Sequence, residues 1–408
     1  MGRKRVFITG MGIFCPLGVE IKEFWNNLSY GKSGVRDITK FDPSPSLTKV
    51  AGIIQNYAPK IYFSPREQRS CEAFVQYGLL AAREAIAQSG ITGPDLAKCA
   101  VVAGTGIGGI VSYKPAYDAL YLPETNQKIN AFTIPKMMNN ALSAQIAIEH
   151  GCKGRNLTVN TACSSGANAI GIGAEWLQAG LFDTVICGGA EAPVTYELLR
   201  TWEAMGVLSR SKDAPEQVCK PFSRDRDGFV LSEGAAMIVL ETEDSCNQRK
   251  KSPIAELIGF ASSCDAESLT SPNLEGVSHA IQKALNDAEI SPIEVDCINL
   301  HGTGTKLNDQ TEGAAIKKIF GDQIPSCTAN KSQLGHSMGA ASAIEAVVSV
   351  LSIEHQIVPP SLNCQPTDPA CHLQNLSPVS RRHKIQNVLS NSFAFGGSNA
   401  CLVFRSCN

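Results

Sequence analysis

One order of strand and helix patterns runs through this chain twice. The first pass opens with an apolar, β-rich segment from Arg5 to Gly12, followed by a helical pattern from Cys71 to Ser89. A strand running into glycines follows (Cys99 to Gly109), then a helix from Met137 to His150. Residues 156–180, NLTVNTACSSGANAIGIGAEWLQAG, read as a strand and a helix, and FDTVICGGAE (182–191) as a strand ending in glycines. The second pass repeats this. Ala255 to Asp265 is a strand, and Val277 to Ile290 has apolar residues at helical spacing. Val295 to Thr305 is a strand entering glycines, and residues 310–321 form a helix. Residues 326–351 read as strand, turn and long helix, and 387–399, NVLSNSFAFGGSN, as a strand ending in glycines.

A duplicated β–α series of this kind predicts two similar α/β halves. Segments such as VVAG and DTVICG read as apolar runs, as strands covered on both faces by helices do. The helical patterns from Thr161 to Gln178 and from Gly339 to Leu351 are small and apolar almost all round, so both belong in the interior. The expected fold is a layered α/β sandwich with two buried helices between two sheets. Arg200 to Asp227 is polar and reads as irregular.

Bulk properties exclude several classes. The chain has 408 residues, 43% hydrophobic and 18% charged, which suits a large buried core. A net charge of −2 gives no electrostatic case for nucleic acid. The basic, then apolar N-terminus is broken by Gly10, Gly12, Pro16 and Gly18, and reads as an edge strand entering a turn rather than a signal peptide. Val6 breaks the myristoylation pattern, and no run of 18 apolar residues marks a membrane helix. A cytoplasmic location is expected. The 15 cysteines include no CxxC pair and no zinc-type spacing, so reduced thiols and no metal are expected.

Three junctions carry candidate chemistry. Cys163, in TACSSG, starts a helix whose N–H dipoles favour thiolate, with small neighbours that admit a substrate. His301, in NLHGTGT, ends a strand before two glycines, the common placement of α/β active-site residues. His336, in NKSQLGHSMGA, falls near the position of Cys163 in the second copy, and the repeat symmetry brings the two helix starts together. Lys331, five residues earlier, is placed to orient His336 or tune its charge. Residues 391–399, NSFAFGGSN, offer loop N–H groups to a substrate oxygen.

Two other patterns compete. GTGIGG (104–109) matches a dinucleotide fingerprint, but it does not open the chain and lacks the βαβ return with an acidic strand tip. GHSMG (335–339) matches a nucleophile elbow around Ser337, with Asp368 and His372 in serine-esterase order. An elbow needs an apolar strand before it, and Lys331, Ser332 and Gln333 are polar.

TACSSG, HGTGT, NKSQLGHSMGAASAIEA and NSFAFGGSN occur in that order, with PFSRDRDGFVLSEGA (221–235) between the first two. Together they resemble the signatures of β-ketoacyl-acyl-carrier-protein synthases, over nearly the whole chain. The resemblance implies a thiolase-like, five-layer αβαβα sandwich of two duplicated halves, 1–250 carrying the cysteine and 251–408 carrying the histidines. It implies a decarboxylative condensation, in fatty-acid or type II polyketide or polyene synthesis, with Cys163 as acyl nucleophile and His301 and His336 acting on the malonyl thioester. By the same resemblance, the N–H groups of Cys163 and Phe395 form an oxyanion hole, and Thr303 and Thr305 bind phosphopantetheine. Lys331 and Glu345 give support. Ile107 lines the acyl pocket, and Phe393 and Phe395 belong to a gate. The two-histidine pattern differs from relatives with a His-Asn pair. Phosphopantetheine arrives on an acidic acyl carrier protein, for which Arg66, Arg69, Arg210 and Lys212 are docking candidates, and no cofactor is held permanently. Family members dimerise, as a homodimer or with a chain-length-factor-like subunit. Chain-length factors themselves lack the cysteine that this chain has. Ala394 stands where glycine is usual between the gate phenylalanines, and would be strained at positive φ. Leu334 stands where a smaller residue is common, and Thr195 to Ser209 carries unusual bulk for a saturated acyl tunnel.

Overall fold

The computed structural model describes residues 3–122 and 128–407. Ten strands form its main sheet system. The first half contributes β1 (Val6–Phe14), β2 (Ala100–Gly104), β3 (Asn156–Val159), β4 (Thr184–Glu191) and β5 (Gly234–Thr242). The second contributes β6 (Ala255–Cys264), β7 (Cys297–Asn299), β8 (Ser326–Thr328), β9 (Asn387–Ala394) and β10 (Ser398–Ser406). The hydrogen-bonded order is β1-β5-β4-β2-β3 in one half and β6-β10-β9-β7-β8 in the other. In each half the first two junctions are antiparallel and the last two parallel. The topology is therefore duplicated strand for strand. The halves join where β1 and β6 pair through only two residue pairs, Phe7 with Glu256 and Ile8 with Ala255.

Six main helices repeat likewise: α1 (Ala73–Ser89), α2 (Ala141–His150), α3 (Ser165–Gln178), α4 (Leu274–Asp287), α5 (Lys306–Phe320) and α6 (Ala341–His355). Helices α1 and α2 cover the outer face of the first five strands, and α4 lies on the outer face of the second five with α5 packed beside it. Helices α3 and α6 lie between the two sheets and touch each other. Every residue of α6 from Ala341 to Ile353 is buried, as its apolar circumference requires. Burying Ile344, Val347, Val348 and Leu351 contributes roughly 1.5–3 kcal/mol each. The two helices approach closely because Gly166 has no side chain: a Cβ there would lie 2.8 Å from the Cβ of Ala343. The result is a five-layer αβαβα sandwich.

Several sequence expectations need correction. Strand β1 is central, paired on both sides, and not an edge strand. Gly10 and Gly12 interrupt it because α1 lies directly on it: Cβ atoms there would fall 2.1 Å from the Ala85 carbonyl oxygen and 2.0 Å from that of Ala81. The closing strands β5 and β10 escaped the sequence reading. The region beginning at Arg200 is not wholly irregular, since a helix spans Tyr196–Ala204, capped by the Thr195 side chain, which accepts from the Leu198 N–H. All 15 cysteines are free and most are buried. Among the described residues no helix is long and apolar enough to cross a membrane, and no cluster of three His, Cys, Asp or Glu side chains is placed to hold a metal ion.

Candidate active site

Four segments following the carboxyl ends of β3, β7, β8 and β9 meet around one cavity of about 260 Å³. After β3 the chain makes a 3-10 turn, Ala162–Ser164, and enters α3. Ala162 is held at φ 50°, a left-handed conformation that costs a non-glycine residue of order 1–3 kcal/mol and turns the next residue, Cys163, into the cavity. The second copy makes the same 3-10 turn at Met338–Ala340, with Met338 at φ 48°. This turn makes Gly339, not His336, the counterpart of Cys163. A side chain at Gly339 would meet the Gly106 nitrogen at 2.3 Å, so only one half has room for a nucleophile.

His336 precedes that turn. Its Nε2 lies 3.1 Å from the Cys163 Sγ, and its Nδ1 accepts the Met338 N–H at 3.3 Å. His301 follows β7, its ring centroid 5.6 Å from that of His336 and nearly perpendicular to it. Its Nδ1 lies 3.3 Å from the Lys331 Nζ, which also donates to the His301 carbonyl at 2.6 Å. Lys331 thus contacts His301 directly, while His336, the neighbour its sequence position suggested, feels only its charge. With both Nδ1 atoms engaged as acceptors, each imidazole carries its proton on Nε2. Burial holds both histidines well below their ordinary pKa, with the Lys331 charge acting in the same direction, joined by His336 in the case of His301. They are neutral N–H donors at pH 7.

Lys331 is itself buried and pairs with Glu345 at 2.5 Å. Burial pushes the Glu345 carboxyl up to about 7 against the opposing pull of Lys331. Burial also pushes the Cys163 thiol up, to about 12; the Lys331 charge and the Phe395 N–H pull it down without overcoming this. Desolvation therefore works against the thiolate that the helix N-terminus favours. Alkylation of Cys163 by iodoacetamide should accelerate about tenfold per pH unit from 7 to 9. A rate already flat at pH 7 would show a thiolate–imidazolium pair instead.

Residues 3–245 match the family described as "Beta-ketoacyl synthase, N-terminal domain", and residues 254–365 match "Beta-ketoacyl synthase, C-terminal domain". The chain belongs to the β-ketoacyl synthase family. It is 39% identical to the 3-oxoacyl-[acyl-carrier-protein] synthase 2 of Coxiella burnetii over 99% of both chains. Among solved structures it is similar to the ishigamide ketosynthase/chain length factor (TM-score 0.92, 34% identity, all of both chains). It is also similar to a type II polyketide synthase ketosynthase, bound to the hexaketide and in complex with its acyl-carrier protein (TM-score 0.88, 29% identity, all of both chains).

The cavity of this family member is also lined by Thr303, Thr305, Phe393 and Phe395. The Phe395 N–H points at the Cys163 sulfur, and the two threonine hydroxyls lie 2.9 Å apart. Ala394 has φ −119°, so it bears no strain; Gly396 and Gly397 take the positive φ values instead. Trp202, from the bulky 195–209 segment, forms a wall of the cavity and packs 6.1 Å from Phe395. Leu334 is buried in the central core, away from the cavity lining. Ile107 does not line this cavity. Its N–H, with those of Gly106, Gly108 and Gly339, faces the buried carboxylate of Glu191. That carboxylate fills the glycine loop where a dinucleotide phosphate would sit.

The serine-esterase pattern also dissolves. Lys331–Leu334 is a helical turn rather than a strand, and Ser337 is buried. Asp368 is bonded to Arg226 at 2.8 Å, and His372 is exposed. Arg66 and Arg69 are exposed on a short helix, Pro65–Ser70, and Arg210 and Lys212 on a loop. Sequence reasoning missed Glu191, Asp309 and Glu312. Glu312, on α5, accepts the N–H groups of His301 and Gly302 at 2.8 and 2.9 Å and fixes the His301 backbone. The available signal was an acid on a helix face that the structure buries.

Proposed function

We propose that this protein catalyses the decarboxylative condensation of an acyl group, held as a thioester on Cys163, with malonyl-acyl carrier protein to give 3-oxoacyl-acyl carrier protein. The observation carrying this reading is the pair of neutral imidazoles whose Nε2–H groups face the cavity beside Cys163. Cys163 takes the acyl group from its carrier thioester, and the displaced carrier thiol receives the cysteine proton. The malonyl carboxylate then leaves as carbon dioxide, and its bonding electrons form an enolate whose oxygen accepts hydrogen bonds from His301 and His336. The enolate carbon attacks the Cys163 thioester, whose oxyanion is held by the N–H groups of Cys163 and Phe395. The C–S bond breaks and the thiolate takes a proton from solvent.

Thr303 and Thr305 bind the pantetheine arm, Glu345 holds Lys331, and Phe393 and Phe395 gate the cavity. Residues 1–250 and 251–408 act as the two halves of one unit, in the cytoplasm. The partners are the acyl carrier protein and a second subunit, a like copy or a chain-length-factor-like chain. The similarity to a ketosynthase/chain length factor and to a ketosynthase in complex with its carrier protein supports both partners. The pathway is fatty-acid or type II polyketide synthesis. Incubation with acyl- and malonyl-carrier protein should give a 3-oxoacyl carrier and one carbon dioxide per product. Carbon dioxide without chain extension, with the partner subunit supplied, would refute the condensation.

The exposed Arg66, Arg69, Arg210 and Lys212 are the proposed docking cations for the acidic carrier. Converting the three arginines to alanine should raise KM for carrier-bound substrates and flatten its salt dependence. Unchanged kinetics would remove the patch from the account.

A further inference from the structure

Arg226 is among the largest fully buried side chains, and none of the roles above uses it. Its guanidinium reaches into the loop that carries Thr303 and Thr305. Nη2 donates to the Lys306 carbonyl at 3.2 Å and Nε to the Thr305 carbonyl at 3.4 Å. Nη1 donates to the Ser223 carbonyl at 2.7 Å and to Asp368 at 2.8 Å. Nε also lies 3.5 Å from Asp309, a buried carboxylate on α5. Asp309 in turn accepts the N–H groups of Thr303 and Gly304, at 3.1 and 3.2 Å, and that of Phe222 at 2.7 Å.

One buried cation therefore meets both ends of the loop: its last carbonyls directly and its first amides through Asp309. Gly302 and Gly304 both have positive φ, so the loop's shape depends on these external bonds. A planar five-donor fork can satisfy this set of acceptors, and a lysine ammonium cannot. The hydroxyls of Thr303 and Thr305 are held together on the cavity wall as a consequence.

We infer that Arg226 is a positioning residue for the pantetheine arm: it fixes the backbone of the Thr303–Lys306 loop so that both threonine hydroxyls face the incoming thioester. This rests on the reading of Thr303 and Thr305 as pantetheine-binding. The test compares wild type, Arg226→Gln, Arg226→Lys, Thr303→Val/Thr305→Val and the triple variant with Gln at 226, using malonyl-carrier protein as the varied substrate. Arg226→Gln should raise KM about tenfold with kcat within about threefold, and Arg226→Lys should recover only part of this. Iodoacetamide has no pantetheine arm, so its rate with Cys163 should stay at the wild-type value. In the threonine double variant KM should rise as much, and adding Arg226→Gln should change it no further. If Arg226→Gln fails to fold, Asp368→Asn, which loosens the guanidinium from a partly exposed partner, should raise KM two- to threefold. Unchanged KM in a folded Arg226 or Asp368 variant, or full additivity with the threonine changes, overturns the inference while leaving the pantetheine reading intact. Unchanged KM in the threonine double variant overturns both.

Discussion

Replacing His301 or His336 with alanine should slow carbon dioxide release from malonyl-carrier protein by 10²-fold or more, while Cys163 still accepts an acyl group. Each imidazole supplies one N–H to the developing enolate oxygen, and losing one such donor costs about 2.7–4 kcal/mol of transition-state stabilisation. Neither histidine is needed as a base to carry the acyl group once it is on the cysteine. The split between acylation and decarboxylation is thus the signature of donors rather than of a catalytic dyad. The pH profile adds a second check. Both histidines have depressed pKa values, so they stay neutral until pH falls well below 6.5. The histidines should therefore add no titration to the decarboxylation rate between pH 8 and 6, where the Glu345 carboxyl, at about 7, is the group of this cluster that titrates. A loss of activity near 6.5 that persists in Glu345→Gln would contradict the neutral-donor assignment.

Lys331→Met should cost about 3 kcal/mol of stability and abolish most decarboxylation. The substitution strips Glu345 of its 2.5 Å partner in a fully buried site, where breaking an ion pair is far more harmful than replacing both members. It also removes the donor to the His301 Nδ1, freeing the imidazole to adopt the wrong tautomer. Glu345 already has its pKa raised to about 7 by burial, and Lys331 opposes that rise. Without Lys331 the carboxyl is driven higher still. A carboxyl whose folded pKa exceeds its unfolded value stabilises the fold most at low pH, and that contribution is lost as pH rises. The variant should melt higher at pH 5 than at pH 8. The double variant with Glu345→Gln should recover most of the stability but not the decarboxylation. Thermal melting and carbon dioxide release measured on the same samples separate the two effects.

The duplicated architecture was legible because burial leaves a plain mark: strand β2 is apolar throughout, β4 is apolar or small up to its closing Glu191, and α6 is small and apolar almost all round apart from Glu345 and its serines. The ends of each half were harder. Strands β5 and β10 run directly out of glycine-containing loops, with no turn pattern to separate them. Cys163, His301 and His336 were legible because each follows a strand at a glycine-rich junction. Their electrostatics were not. A helix start argues for thiolate at Cys163, but the sequence does not say that the same turn is desolvated, and desolvation works against the thiolate. Lys331 lies five residues from His336 in sequence, yet the helical turn Lys331–Leu334 directs it to His301. The carboxylates of Asp309 and Glu312 turn back onto the loop N–H groups just before their own helix, while Glu191, and Asp309 at Phe222, reach backbone N–H groups far away in the chain. Such contacts leave no periodic trace, so the residues that hold the site in shape were the ones missed.

The most direct test of the account is the intact mass of the protein after incubation with a panel of acyl-carrier proteins, saturated and polyketo, with Cys163→Ala beside it and the partner subunit present. The account predicts one acyl adduct on the wild type, absent from Cys163→Ala, with the retained chain separating fatty-acid from polyketide synthesis. An adduct that persists in Cys163→Ala, or none on the wild type with any carrier, would contradict it.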